Sequence, residues 1–83
     1  MRILRQGESR NAVECLIKMG YWTIERHKGC RLTRLRTRLT NAFVFEDNVY
    51  FQTNAPKGLR CLLGAIKCKL DERRLNRLME RYA

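Results

Sequence analysis

Residues 31–41, RLTRLRTRLTN, set four arginines (Arg31, Arg34, Arg36, Arg38), three threonines (Thr33, Thr37, Thr40) and three leucines (Leu32, Leu35, Leu39) in eleven positions with no acid among them. At the ~100° step of an α-helix, Leu32, Leu35 and Leu39 fall within roughly 60° of one another, a stripe narrow enough to dock on a small core. Arg34, Thr37, Arg38 and Asn41 fall almost opposite, with Arg31 beside them, while Arg36 lies toward the leucine side, where Thr33 and Thr40 flank the stripe. A merely solvated helix mixes its signs, because unpaired like charges at helical spacing repel. The stretch therefore predicts a basic helix that meets an external polyanion. The plainer alternative is a helix whose arginines serve only solubility.

The rest of the chain agrees with a polyanionic partner. Eighty-three residues bound it to a single domain, 1–83, with a modest core. Eighteen Lys and Arg against eight Asp and Glu leave a formal charge of +10, distributed as +7 over residues 1–41, −2 over 42–56 and +5 over 57–83. Such a surplus steers a protein toward nucleic acid or an anionic membrane surface. Arginine outnumbers lysine, and its planar fork suits phosphate and guanine edges better than a point charge does. No apolar run is long enough to span a bilayer, and MRILRQGESR lacks the apolar centre of a signal peptide. The expectation is a cytoplasmic protein, or a nuclear one in a eukaryotic host, with no membrane partner.

Cys15, Cys30, Cys61 and Cys68 each sit inside an apolar, helix-like pattern, which points to buried, reduced thiols. Two disulfides would be the reading in a secreted chain. Zinc is the other alternative, with His27-x-x-Cys30 joined by Cys61 and Cys68. Structural zinc sites use tight C-x₂₋₄-C pairs, however, and the six residues between Cys61 and Cys68 do not supply one. No metal and no cofactor are expected.

In chain order, Ile3 and Leu4 suit an edge strand. Ser9 is placed as an N-cap, and Ala12, Val13, Leu16 and Ile17 predict an amphipathic helix over 10–19, stopped by Gly20. After the apolar cluster Tyr21–Ile24, Thr23 caps a short second helix over 24–28, and Gly29 precedes the arginine helix. AFVFEDNVYFQT, residues 42–53, carries aromatic and β-branched residues on both sides of Asp47-Asn48. A hairpin with a two-residue turn there pairs Phe45 with Tyr50 and Val44 with Phe51. Beyond Pro56, Leu59, Leu62, Leu63, Ile66 and Leu70 repeat at helical spacing. Gly64 within this helix costs about 1 kcal/mol against Ala unless a neighbour approaches closely. Asp71 reads as a cap or break before Leu75, Leu78, Met79 and Tyr82. One of the two segments is expected to seal the core and the other to pair with a second copy, giving a homodimer through 59–82 whose contact is formed by Leu75, Leu78, Met79 and Tyr82.

The order helix, short helix, glycine turn, basic helix and hairpin resembles the winged helix-turn-helix domain of small DNA-binding regulators, in the compact form found in phage and prophage proteins. The resemblance is carried by Gly29-Cys30-Arg31-Leu32-Thr33-Arg34-Leu35-Arg36-Thr37-Arg38-Leu39, which is similar to R-L-(S/T)-x-R-(I/L)-x-x-L, and covers residues 9–53. It implies an α+β, mainly helical fold, with 31–41 as recognition helix and 42–53 as wing; residues 54–83 lie outside the resemblance and read as a C-terminal helical extension. On that frame the helix enters the major groove of double-stranded DNA. Arg34 and Arg38 read guanine, Thr37 and Asn41 meet a thymine methyl and an adenine edge, and Arg31, Arg36 and Lys28 contact phosphate.

No serine–histidine–acid set and no phosphate-cradling glycine loop is present in the sequence, so catalysis is not expected. Three functions fit size and charge. The first is a sequence-specific transcriptional regulator of phage or mobile-element origin. The second is an architectural, excisionase-like factor that bends DNA, and the third is a small basic inhibitor of an acidic host protein.

Overall fold

The computed structural model describes residues 1–26 and 32–81. Lys28, Arg31, His27, Cys30 and Tyr82 lie outside these residues, and so do the roles expected of them. The described chain runs β1 (Arg2–Ile3), α1 (Glu8–Lys18), β2 (Trp22–Arg26), β3 (Thr33–Arg36), β4 (Thr40–Val44), β5 (Asn48–Thr53) and α2 (Leu59–Glu80). The fold is α+β, as expected, but the arginine stretch is not a helix. Its described part is strand, turn and strand, and residues 24–26, the described part of the short helix expected over 24–28, belong to β2.

The cause lies in a second period hidden in the same residues. Thr33-Arg34-Leu35-Arg36 alternates, so a strand buries Leu35 completely and turns Arg34 and Arg36 to the other side. A helix would instead restrict the β-branched threonines and stack Arg34 on Arg38 one turn apart. The turn between the strands is closed by Thr37 N–H donating to Thr40 O at 2.8 Å. Asn54 Nδ2 clamps it from outside, donating to Thr37 O at 2.9 Å.

The five strands form one antiparallel sheet in the order β1-β5-β4-β3-β2. Helix α1 carries the chain from one edge to the other. The hairpin expected over 42–53 is present as β4 and β5, two residues out of the expected register: Val44 pairs with Val49 and Phe43 with Tyr50. A two-residue type I′ turn at Asp47-Asn48 needs positive φ at both positions, and no described non-glycine residue has it. The turn falls at Glu46-Asp47 instead, with Phe45 N–H donating to Asn48 O at 2.8 Å. A shift of two preserves the faces, because side chains alternate with period two.

Both helices pack on one face of this sheet. Ala12, Cys15 and Leu16 of α1 and Leu75 and Met79 of α2 close over Leu35, Ala42, Val44 and Val49, with Leu4 and Tyr21 at the margins. Helix α1 starts at Gly7, whose φ is 85°, rather than at Ser9, and Gly20 at φ 99° turns the chain out of it. Helix α2 runs unbroken through Asp71. That carboxylate is no cap. It is buried, and accepts hydrogen bonds from Tyr21 Oη and from Lys67 Nζ, both at 2.5 Å. Gly64 seats the helix on the sheet: a Cβ there would stand 2.8 Å from Leu39 O and 2.9 Å from Thr53 Cβ.

This rotation of α2 reverses the expected division of labour. Leu75 and Met79, expected at a dimer contact, are buried in the core, so residues 59–80 are no appendage to it. Leu59, Leu62, Leu63, Ile66 and Leu70 point outward, between 44% and 71% exposed. Among the described residues no helix is long and apolar enough to cross a membrane.

Candidate nucleic-acid interface

Strand alternation decides what the uncovered face of the sheet displays. Thr40, Ala42 and Val44 of β4 point toward the helices, so Asn41 and Phe43 point away, and register extends that side across the neighbouring strands. One row reads Trp22, Arg36, Asn41, Gln52 from β2 to β5. The next, about 7 Å along the strands, reads Glu25, Arg34, Phe43, Tyr50 from β2 to β5. Three aromatic rings thus share one face with two arginines and two amides over four strands, and Glu25 stands at the β2 end of the second row.

The exposures are unusual for rings of this size. Trp22 is 66% exposed and Tyr50 51%, although burying such rings is strongly favourable. Phe43, half-buried, carries the Arg34 guanidinium 5.8 Å from its ring centroid. That cation–π contact fixes the guanidinium over the sheet. Asn41 is only 6% exposed. Among the described residues, its Oδ1 and Arg34 Nε are buried without a hydrogen-bond partner, and such groups in a folded protein call for an explanation. Charge is graded along the strands. Glu46 and Asp47 occupy the β4–β5 turn, while Arg36 and Arg38 stand at the end where β3 turns into β4.

Beneath this face a polar chain ties β4 to α2. The Tyr21 hydroxyl has one hydrogen and donates it to Asp71. Thr40 Oγ1, 2.9 Å away, therefore donates to Tyr21, and Thr37 Oγ1 donates to Thr40 Oγ1 at 2.8 Å. Burial, and then the bond to Asp71, push the Tyr21 pKa far above the ordinary 10.0, against a smaller opposite pull from Thr40. Burial and then Asp71 also raise the Cys68 thiol, so it stays protonated at neutral pH and is a poor nucleophile.

Of the residues expected to contact DNA, Arg34, Arg36 and Asn41 are brought together on the uncovered face. Thr37 and Arg38 are in the β3–β4 turn, where the Thr37 hydroxyl is committed to turn hydrogen bonds and Arg38 is exposed. Trp22, Phe43, Tyr50 and Gln52 were not expected at the site. Residues 42–53 read as core strands because both faces of that hairpin are apolar. The available signal was that Phe43 and Tyr50 share the side opposite Val44 and Val49 in any register with an even shift. Comparison of the chain with models of known families, with curated proteins and with solved structures finds no match.

Proposed function

We propose that this chain binds nucleic acid through the uncovered face of its sheet, with unpaired bases stacked on Trp22, Phe43 and Tyr50 and phosphates met by Arg34, Arg36 and Arg38. The observation that carries the reading is three aromatic rings interleaved with arginines on an exposed sheet face of a +10 chain. Each part has a defined task. Base–aromatic stacking contributes ~1–3 kcal/mol per base and tolerates any sequence. Arginines along the strand supply the salt-dependent share. Gln52, exposed and adjacent to Asn41 across β4 and β5, offers an amide that matches base edges.

A duplex reader of the winged helix-turn-helix kind needs a recognition helix, and the described part of the arginine stretch is a hairpin inside a sheet. Five strands spaced at ~4.8 Å span about 19 Å, wider than the ~12 Å major groove. Control of transcription from a duplex operator therefore has less support than capture of single strands, and duplex DNA becomes the competing ligand. Self-association belongs to the same reading. The stripe Leu59, Leu62, Leu63, Ile66 and Leu70 can meet itself in a two-fold contact, and a dimer would present two basic faces to one polymer. Sedimentation of a plain monomer at tens of micromolar would remove that element alone.

The test compares single-stranded RNA, single-stranded DNA and duplex DNA of one sequence at one salt concentration, with wild type, Trp22→Ala and Tyr50→Ala. Single strands are expected to win, and each variant to lose roughly 1–3 kcal/mol of binding while melting as the wild type does. Tighter binding to duplex, unaffected by either substitution, would overturn the proposal.

A further inference from the structure

Where the β3–β4 turn meets the start of α2, a cleft of about 90 Å³ is lined by Arg36, Arg38, Leu39, Asn54, Ala55 and Arg60. Its three arginines come from three separate elements: the end of β3, the turn, and the first turn of α2. No acid lines it, and no ion pair is formed by these arginines among the described residues. The positions are held by hydrogen bonds from Asn54, one from its backbone and two from its side chain. Asn54 N–H donates to Leu39 O at 3.1 Å, and Asn54 Nδ2 donates to Thr37 O at 2.9 Å and Arg38 O at 3.3 Å. Helix α2 begins here at Gly58 with no side-chain cap and no acid in its first turn, so nothing anionic answers either the helix terminus or the arginines.

We infer that this cleft is a subsite for a phosphate monoester, the terminal phosphate of a nucleic-acid strand lying on the sheet. The inference rests on the proposed function for its ligand, but the cleft has its own logic. Like charges held close together repel, and a bound anion relieves that repulsion. A backbone diester carries a single negative charge, whereas a monoester carries ≈ −1.5 to −2 at neutral pH and presents three strong acceptor oxygens. Three guanidinium groups match the second better, each able to donate in pairs to phosphate oxygens. Arg36 belongs both to the cleft and to the row Trp22, Arg36, Asn41, Gln52, so a strand on the sheet reaches the cleft without leaving the protein surface.

The test uses the full chain and one short single-stranded RNA in three forms, with a 5′-phosphate, with a 3′-phosphate and with neither. Anisotropy is read at two salt concentrations. One terminal phosphate is expected to tighten binding by about tenfold, less at high salt. Arg60→Ala should remove that gain and leave the affinity for the unphosphorylated strand nearly unchanged, whereas Arg38→Ala should remove the gain and also weaken the unphosphorylated strand, since Arg38 meets backbone phosphate as well. Both side chains are exposed, and unchanged melting temperatures would show that the variants fold. Equal affinity for all three forms would overturn the subsite while leaving the sheet face in place. If no single strand binds, the proposed function fails; inorganic phosphate should then still raise the melting temperature of wild type and not of Arg38→Ala, and no rise would overturn the subsite as well.

Discussion

The two faces of the sheet are made by neighbouring residues of the same strands, yet they follow opposite rules. On the side of the helices, Leu35, Ala42, Val44 and Val49 are at most 2% exposed, and the one polar chain among them, from Thr37 through Thr40 and Tyr21 to Asp71, has a partner at every step. On the other side Trp22 and Tyr50 stand in solvent, and the buried Asn41 Oδ1 has no partner among the described residues. A face under selection for stability alone would not expose its largest ring. The contrast separates what holds the fold from what the fold presents, at a resolution of single positions along β3 and β4.

The largest effect expected from that contrast comes from two adjacent residues of β3. Leu35→Ala should lower stability by about 2–5 kcal/mol, because a fully buried side chain leaves a cavity. Arg34→Ala, one position earlier, should change stability by about 1 kcal/mol or less, the worth of its contact with Phe43, and weaken binding to single strands. Urea titration reads both as shifts in midpoint at constant slope. Equal losses of stability would erase the distinction between the faces.

The next effect is smaller and belongs to the helix side. Tyr21→Phe removes the donor to a buried carboxylate and should cost about 1–3 kcal/mol. It should also change the pH dependence. The folded pKa of Tyr21 is raised above the unfolded value of 10.0. Its contribution is therefore complete below about pH 10 and lost as pH rises beyond that, since the unfolded chain releases the proton first. Melting temperature against pH should fall above about 10 in wild type, and less steeply in Tyr21→Phe. Parallel curves would show that this hydroxyl does not control the alkaline limb.

Much of this architecture is legible in the sequence, and the failures have a common physical origin. Helix α1 and the β4–β5 hairpin are each marked by one dominant period, i to i+4 in the first and aromatic or β-branched runs in the second. Residues 32–39 satisfy two periods at once. Leu32, Leu35 and Leu39 fit a helical stripe, while Thr33 to Arg36 alternate, and a run this short does not decide between them. Pairing partners on both sides, β2 and β4, decide it, which is tertiary context overriding local pattern. Helix α2 was legible as helical, but not its rotation, because both of its stripes are apolar. Gly64 against Leu39 O and Asp71 beneath Tyr21 set that rotation, and neither contact is local in sequence. For the site, the arginine stretch was the right place to look. Arg34, Arg36 and Asn41 are on the proposed face, but as members of cross-strand rows with Trp22, Phe43, Tyr50 and Gln52 rather than as one side of a helix.

The uncovered face can be read directly, because Trp22 is the only tryptophan in the chain and stands on that face. Its fluorescence, followed while a short unstructured single strand is titrated into the protein at low salt, reports stacking at the proposed position with no label and no substitution. Saturable quenching by the single strand, with little change on adding the matching duplex at the same nucleotide concentration, is the result the account predicts. Binding that leaves Trp22 emission unchanged, or quenching by duplex alone, would contradict it.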